Sequence, residues 1–383
     1  MFLKMVPISL VLLAAITGCD SVTSADRSSG QDPGAGGSTR MSGSDESDHV
    51  ANDNSTPLTA DDIRKPDPSF ASNGSVQYAI KQGNKLTIAH KYSASDDMWI
   101  VFDYHGANRL YGFSQWRLAA NTGEQVDPDM GRASSLLQNA VTDWIGPYIV
   151  KADKDADVPS QHFTGGAHAF NGADKGSATA RTVSYSIRAD GVELADGQVT
   201  ASERITIQVV NHVQGYNTKV EDGSGREILK ETVTYEVVGG RVQVHTEIEA
   251  LEDITIYRYY GLQTVNQAWS DKVAYYAKDK IVSVNPGKLY SDSGKLSANP
   301  NVDQYVLTSD DSKPIRHHLL VWLDRKYGIG TMEHVAAHRP ASFTYEYGKT
   351  YFLQIVDTAP VLAKGKTFSW RGGYHFFSRK GSS

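Results

Sequence analysis

The stretch that decides the fold runs from Glu203 to Gln263 and opens with ERITIQVVNH (203–212), in which apolar and polar residues alternate. In an extended chain Ile205, Ile207 and Val209 fall on one face, and the residues between them fall on the other. This period of two predicts a strand with one buried face and one polar face. We therefore expect a β-sheet to be the central element of the protein.

Further strand patterns follow in the same stretch. The runs 232–238 and 241–250 are separated by Gly239-Gly240. Two glycines between β-rich runs predict a tight hairpin, because glycine adopts positive φ angles without steric cost. The next run, ITIYRYY (254–260), is predicted to supply a fourth strand of the same antiparallel sheet.

The polar face of this sheet allows two interpretations. Antiparallel sheets commonly expose one face to solvent, so its polar side chains can be a plain exterior. Alternatively, the face forms the floor of a groove for a polar ligand such as a sugar. Its flat rings and fixed donors would be supplied by His212, His245, Tyr257, Arg258 and Tyr259.

The region 67–383 is predicted to be one folded β domain. Strand-like runs recur along it and are separated by turn residues, whereas helical periodicity is scarce. The predicted fold is mostly β, an antiparallel β-sandwich (jelly-roll-like) with little helix. Only RASSLLQNAV (132–141) has the spacing of a short helix. The sequence contains no GxGxxG, P-loop, CxxC or HExxH motif.

The N-terminal region predicts an export signal followed by a tether. Lys4 precedes an apolar run that is too short for a mature membrane span. The segment ITGC (16–19) resembles the lipobox of bacterial lipoproteins. This resemblance implies a signal peptide at 1–18, a lipid on Cys19 and an anchored protein in the bacterial cell envelope, periplasmic or surface-facing. Residues 19–66 are rich in Ser, Gly and Asp, which predicts a disordered tether.

Composition restricts the compartment and the partners. Cys19 is the only cysteine in 383 residues, which excludes an intrachain disulfide. The net charge is −6 and no basic run is present, which argues against nucleic acid. An acidic polysaccharide would therefore need a local basic site, and we expect a monomer.

Two loops contain the densest groups of candidate functional residues. QHFTGGAHAFNG (161–172) combines paired glycines with His168, whose imidazole is suited to proton transfer near neutral pH. NHVQGYNTK (211–219) leaves the central strand, and Arg226 follows it closely. Each loop can instead be a polar turn without a functional role.

A metal site is a further alternative. His245, Glu247 and Glu249 fall on one face of a predicted strand, and His212 or His168 could complete a ligand set for Zn²⁺ or Mn²⁺. Carboxylates would also permit a structural Ca²⁺. Nothing in the sequence shows that these groups converge, so no metal ligand is assigned and no cofactor is expected.

Four fragments resemble a known group of proteins: FTGGAH (163–168), VQGYNTK (213–219), GREIL (225–229) and YYGLQ (259–263). They resemble a β-rich domain of phage tail-associated and secreted polysaccharide-active proteins. More broadly, the chain looks like the β-jelly-roll polysaccharide lyases. This resemblance implies catalysis by a Tyr/His pair together with Arg, Asn or Gln.

The leading hypothesis is a polysaccharide lyase that cleaves a uronate-containing glycan by β-elimination. Elimination needs a group that neutralises the carboxylate, a base and an acid. The predicted catalytic residues are His168, His212, Tyr216, Arg226 and Tyr259. The predicted substrate-binding residues are Asn211, Gln214, Asn217, Lys219, His245 and Arg258. The alternatives are a non-catalytic carbohydrate-binding surface lipoprotein and a glycoside hydrolase that uses Glu247 or Glu249.

Overall fold

The computed structural model of the protein describes residues 76–171, 176–288, 296–310 and 315–380. The predictions for the signal peptide 1–18, for Cys19 and for the tether 19–66 lie outside these residues. Within the four described ranges, no helix has both the length and the apolar character that crossing a membrane requires.

The described residues are mainly β-strands, numbered here in chain order. The first twelve are β1 (Gln77–Gln82), β2 (Lys85–Lys91), β3 (Asp96–His105), β4 (Leu110–Ala120), β5 (Ser135–Asn139), β6 (Tyr148–Ala152), β7 (Ala180–Ala189), β8 (Val192–Glu193), β9 (Val199–Ser202), β10 (Ile205–Gln214), β11 (Glu227–Val238) and β12 (Arg241–Ala250). The others are β13 (Ile254–Tyr259), β14 (Gln263–Val265), β15 (Lys272–Ala277), β16 (Lys280–Pro286), β17 (Gln304–Thr308), β18 (Ile315–Leu323), β19 (Ser342–Tyr345), β20 (Lys349–Phe352), β21 (Ile355–Val356), β22 (Val361–Leu362) and β23 (Thr367–Lys380). Two short 3-10 helices span Gln267–Trp269 and Gly328–Thr331.

Two large antiparallel sheets form the body of the domain. One has six strands in the order β5-β4-β3-β2-β1-β9, and the other has ten in the order β16-β15-β17-β18-β23-β12-β11-β10-β7-β8. Their inner faces share one hydrophobic core. Phe102 of β3 packs 5.3 Å from Tyr235 of β11, and Trp116 of β4 packs 5.4 Å from Phe376 of β23. The predicted mostly-β antiparallel sandwich is therefore confirmed.

The central hairpin forms as the sequence predicts. β11 and β12 pair in antiparallel register with Val238 opposite Arg241, and Gly239 has a φ of 57°. On β10 the residues Ile205, Ile207 and Val209 are fully buried, while Gln208 on the opposite face is exposed. Alternation thus assigned the faces of this sheet correctly.

Two structural predictions are wrong. The run 254–260 does not join the central sheet, because β13 pairs with β6, β21 and β22, and the second neighbour of β12 is β23. Consecutive strands pair often but not always, and alternation identifies faces rather than neighbours. The expected helix at 132–141 is instead strand β5, because pairing with β4 outweighs a weak local helical spacing.

Two small sheets lie at the candidate site described below. β6 pairs with β13, and a separate sheet has the order β14-β20-β19. Both contribute side chains to the main core, among them Tyr148, Tyr259 and Phe352. This packing fixes the loops that leave β5, β6 and β19.

Candidate functional site

The candidate site is organised around Asp143, which lies in the loop between β5 and β6 and has a fully buried side chain. Its Oδ2 atom lies 3.2 Å from the Lys349 Nζ atom and 3.2 Å from the His168 Nε2 atom. The Thr142 hydroxyl donates to the same oxygen at 3.1 Å, and the Ala167 N–H donates to Oδ1. We call Asp143, His168 and Lys349 the Asp143 site.

Backbone geometry brings His168 to this carboxylate. Gly166 has a φ of 50°, and a side chain at this position would collide with the Asp143 carboxylate, so the loop requires glycine here. Buried Asn108 holds the same loop, because its Nδ2 donates to the carbonyls of Gly166 and His168 at 3.0 and 2.9 Å. The paired glycines of the sequence therefore have a structural role.

Opposite charges keep Asp143 ionised although it is buried. Burial alone would raise the pKa of Asp143, but the Lys349 ammonium and the His168 ring hold that pKa well below its ordinary value. The contact between His168 Nε2 and the carboxylate limits the orientation of the imidazole ring. Among the described residues, no hydrogen bond is made to His168 Nδ1.

Aromatic rings connect His168 back to Lys349. Phe163 lies 5.1 Å from the His168 ring and 6.1 Å from the Tyr260 ring, and Tyr260 lies 4.9 Å from Tyr351. The Lys349 Nζ atom lies 5.4 Å from the centre of the Tyr351 ring. Together with Asp143, these side chains form a continuous ring of contacts that begins and ends at His168. The His168 side chain is 14% exposed to solvent.

A tyrosine hydroxyl provides the third type of reactive group. Tyr351 is buried, and its hydroxyl forms a hydrogen bond with the hydroxyl of the more exposed Tyr347. Burial raises the pKa of Tyr351 well above its ordinary value, so this hydroxyl stays protonated.

A second buried carboxyl group, Glu231 of β11, lies close enough to Asp143 for electrostatic interaction. Its oxygens accept from the Tyr148 hydroxyl at 2.6 Å and from Asn211 Nδ2 at 2.9 Å. Burial raises the pKa of Glu231, and no cation among the described residues pairs with it. The Tyr148 ring stacks 4.5 Å from Tyr259. We call Glu231, Tyr148, Asn211 and Tyr259 the Glu231 network.

Of the predicted site residues, His168 lies in the Asp143 site, and two others lie in the Glu231 network. Asn211 is 4% exposed and binds Glu231. Tyr259 is fully buried, and its hydroxyl accepts from Trp370 Nε1 at 2.8 Å. Both side chains are therefore enclosed by the core.

A second group of predicted residues lies at the rim of the ten-stranded sheet, around an open depression of about 570 Å³ lined by Arg181, Gln214, Arg226 and Glu227 among others. His212 Nδ1 lies 2.8 Å from Glu227, which also pairs with Arg181. Arg226 Nε lies 2.6 Å from Glu252, and a second nitrogen pairs with Asp155. Carboxylates of the protein thus already neutralise these arginines.

Other predicted residues of the 211–219 loop have local structural contacts. The Tyr216 hydroxyl donates to Asp157 at 2.7 Å, and Asn217 bonds the backbone of Ala152 in both directions. Lys219 is exposed and has a φ of 47°.

The remaining predicted residues lie apart from both groups. His245 Nε2 lies 3.3 Å from the Tyr327 hydroxyl, and Arg258 lies 3.9 Å from Asp357. Glu249 pairs with Lys230 rather than with a histidine. In the described ranges, no three or more His, Cys, Asp or Glu side chains are grouped so that they could hold a metal ion.

The sequence analysis assigned no site role to Asp143, Lys349, Tyr351 or Glu231. Lys349 and Asp143 meet across 206 residues of chain, and no local spacing reports such a contact. The aromatic run YEYGKTY (345–351) was the available signal, because it places three tyrosines around one lysine.

No protein-family model and no curated protein matches this sequence. Among solved structures, it is distantly similar to β-rich carbohydrate-active proteins. The galactosidase domain of the α-galactosidase-sucrose kinase AgaSK shows 11% identity and a TM-score of 0.41, over 79% of this chain and 42% of that chain. Galactose 1-epimerase from Lactobacillus acidophilus shows 10% identity and a TM-score of 0.31, over 80% and 99%.

A glycoside hydrolase family 97 enzyme from a Pseudoalteromonas species shows 8% identity and a TM-score of 0.34, over 78% of this chain and 35% of that chain. The chain thus spans less than half the length of the galactosidase domain and of this enzyme.

Proposed function

We propose that the protein is a polysaccharide lyase that cleaves a uronate-containing glycan by β-elimination at the Asp143 site. One arrangement supports this proposal. His168 Nε2 and Lys349 Nζ both lie 3.2 Å from the same oxygen of Asp143. A base and a cation are thereby held side by side within an aromatic surface, as elimination beside a carboxylate requires.

Each step of the elimination has a residue of suitable chemistry. Lys349 attracts the uronate carboxylate and so acidifies the neighbouring C5–H, and His168 Nδ1 takes that proton. The electrons of the C5–H bond form the C4–C5 double bond as the C4–O bond breaks. The Tyr351 hydroxyl donates its proton to the leaving oxygen, and solvent returns that proton from His168 to Tyr351.

The test follows product formation on alginate, hyaluronan and pectin through the ultraviolet absorbance of the unsaturated uronate. We expect a rise with at least one glycan, and a loss of about 10²–10⁴-fold in turnover for His168→Ala, the usual contribution of a general base. Tyr216→Phe is the matched control, because Tyr216 binds Asp157 outside the Asp143 site. New reducing ends without an unsaturated product would show hydrolysis and reject the lyase.

A non-catalytic carbohydrate-binding protein is the second candidate, and one observation favours it. The Lys349 side chain is only 8% exposed and is already paired with Asp143, which limits its attraction for a substrate carboxylate. Binding of a glycan by the unaltered protein without any product would support this candidate against the lyase.

We also propose that Cys19 is lipidated after removal of residues 1–18 and that the protein is anchored in the bacterial cell envelope. The lipobox-like segment ITGC (16–19) supports this proposal. Cys19→Ser should move the protein from the membrane fraction to the soluble fraction and abolish incorporation of labelled fatty acid. Unchanged fractionation and labelling would reject the anchor.

A further inference from the structure

Arg371 of β23 projects from the outer face of the ten-stranded sheet. Trp370 and Tyr374 of the same strand belong to the main core, and residues of a strand alternate between its two faces. The Tyr374 hydroxyl donates to the carbonyl of Trp144, the residue after Asp143, at 2.8 Å. The Asp143 site therefore lies towards the core side of β23, whereas Arg371 lies on the opposite face with 38% of its side chain exposed.

Two contacts hold the Arg371 guanidinium in place. Its Nε atom donates to Asp324 Oδ2 at 2.7 Å, and its Cζ atom lies 4.4 Å from the centre of the Tyr327 ring. The other Asp324 oxygen accepts from the Lys326 N–H at 2.9 Å. In the described ranges, neither Nη1 nor Nη2 of Arg371 forms a hydrogen bond. A positioned guanidinium therefore keeps one edge, with two nitrogens, for a ligand.

Arg181 of β7 shows a different arrangement. Its Nε and Nη2 atoms donate to the two oxygens of Glu227 at 2.6 and 3.0 Å. The Arg181 side chain is 59% exposed, which is more than that of Arg371. A carboxylate of the protein thus already binds Arg181 through two nitrogens, although solvent reaches this side chain more easily. The unused edge, rather than exposure, distinguishes Arg371.

Two ring side chains lie beside Arg371 on the same face. His245 is exposed and stands opposite Arg371 in the register of β12 and β23. Its Nε2 atom lies 3.3 Å from the Tyr327 hydroxyl, so Tyr327 contacts both residues. The turn after Tyr327 passes so close to β23 that a side chain at Gly328, whose φ is 52°, would collide with the Ser369 carbonyl. We call Arg371, Tyr327 and His245 the Arg371 site.

One negative charge also lies on this face. Glu247 is exposed, follows His245 by two residues on β12 and stands opposite Ser369. An anion bound at Arg371 would be repelled by Glu247. Removal of this charge should therefore strengthen binding of an anion and leave binding of a neutral ligand unchanged.

We infer that the Arg371 site binds a carboxylate of an acidic sugar through parallel hydrogen bonds from Nη1 and Nη2. The planar fork of the guanidinium matches the two oxygens of a carboxylate. The inference rests on the proposed function for the identity of the ligand, a uronate-containing glycan. It goes beyond that function because it adds a second glycan-binding site, across the ten-stranded sheet from the Asp143 site. Binding there raises affinity for the polymer without taking part in the elimination.

The test measures binding separately from cleavage. Full-length protein carrying His168→Ala, which suppresses cleavage, is run through native gels that contain alginate, hyaluronan or polygalacturonate, or the methyl ester of each. The ester keeps the sugar backbone and removes the charge. Arg371→Gln should weaken retention on a charged glycan by about five- to tenfold, the expected contribution of a partly exposed, charged hydrogen-bonded pair. Retention on the ester should not change.

Three further variants separate the possible causes. Arg181→Gln is the matched control, because Glu227 already binds this arginine, and retention should stay nearly unchanged. Arg371→Lys keeps the charge but loses the planar fork, so it should recover only part of the retention. Glu247→Gln should strengthen retention on the charged glycan, a gain that loss of folding could not produce.

Three results would overturn the inference: no retention on any of the three charged glycans, equal retention of Arg371→Gln and Arg181→Gln, or full recovery in Arg371→Lys. Equal losses on a glycan and its ester would also overturn it, because the carboxylate would then not be the group bound. Failure of the lyase proposal is distinguishable from these results. In that case the protein with His168 intact forms no unsaturated product, yet Arg371→Gln still weakens retention on the charged glycan alone.

Discussion

Asp143 and Glu231 are both buried carboxyl groups, but their partners differ in charge. Asp143 contacts the Lys349 ammonium and the His168 ring, and its pKa is held well below the ordinary value. Glu231 contacts a tyrosine hydroxyl and an amide, and burial raises its pKa. The comparison shows that, for two buried carboxyl groups, the charge of the partners decides the direction of the pKa shift.

The difference also separates the candidate functional site from a network inside the core. An ionised Asp143 can orient His168 and hold a cation at an aromatic surface that solvent reaches. Glu231 is enclosed by Tyr148 and Asn211, and its hydrogen bonds to them join β11 to β6 and β10. Variants of the two carboxyl groups and of their partners should therefore differ in how much unfolding free energy they lose and in how that loss depends on pH.

The largest effect is expected from Lys349→Met, which removes the cation and leaves the charge of Asp143 buried. Loss of one partner of a buried ion pair costs about 3–5 kcal/mol of unfolding free energy. Urea denaturation measures this loss. Lys230→Met is the matched control, because the Lys230 pair with Glu249 is about one-third exposed and should contribute less than about 1 kcal/mol. Similar losses in the two variants would contradict an ionised Asp143.

A smaller loss is expected from Tyr148→Phe, which leaves the Glu231 Oε1 atom without its donor inside the core. An unsatisfied buried polar group costs about 1–3 kcal/mol, measurable in the same denaturation experiment. Tyr216→Phe removes a hydroxyl whose partner, Asp157, is exposed and can bind water instead. If Tyr216→Phe is the more destabilising of the two, the Glu231 network does not stabilise the core.

The smallest expected effect is the pH dependence of the unfolding free energy, which has opposite signs for Glu231 and Asp143. The raised pKa of Glu231 predicts that the unaltered protein loses stability relative to Glu231→Gln as pH rises above about 4.5, until the folded-state pKa is passed. The lowered pKa of Asp143 predicts that stability relative to Asp143→Asn is lost as pH falls below about 3.8. Each slope is at most about 1.4 kcal/mol per pH unit.

Urea denaturation of the unaltered protein, Glu231→Gln and Asp143→Asn at a series of pH values measures the signs of both slopes. Two slopes of the same sign would contradict the opposite directions of the two pKa shifts.

The fold was largely predictable from local pattern, whereas the site was not. Alternation at 205–209 and the glycines at 239–240 specify faces and a turn within a few residues, and both were confirmed. The neighbours of β13 depend on which distant strands reach it, so its sheet could not be inferred from alternation. The short run 132–141 has too weak a helical preference to resist pairing with β4.

The candidate site shows the same limit. His168 was identified because a histidine among glycines is conspicuous within a single loop. Asp143 has no such local signal, and the tyrosines around Lys349 do not reveal its partner, which is found only when β20 is placed beside the loop that precedes β6. Conversely, Asn211 and Tyr259 resemble ligand-binding residues in sequence, yet the core encloses both.

The position of β23 has a consequence for how the chain folds. This strand lies between β12 and β18, pairing Arg241 with His375 on one side and Leu320 with His375 on the other. Until it is in place, the ten-stranded sheet consists of two parts, each with an unpaired edge. Pairing so distant in sequence slows folding, and exposed edges favour association between chains. We therefore expect refolding to be slow and aggregation to compete with it at high protein concentration.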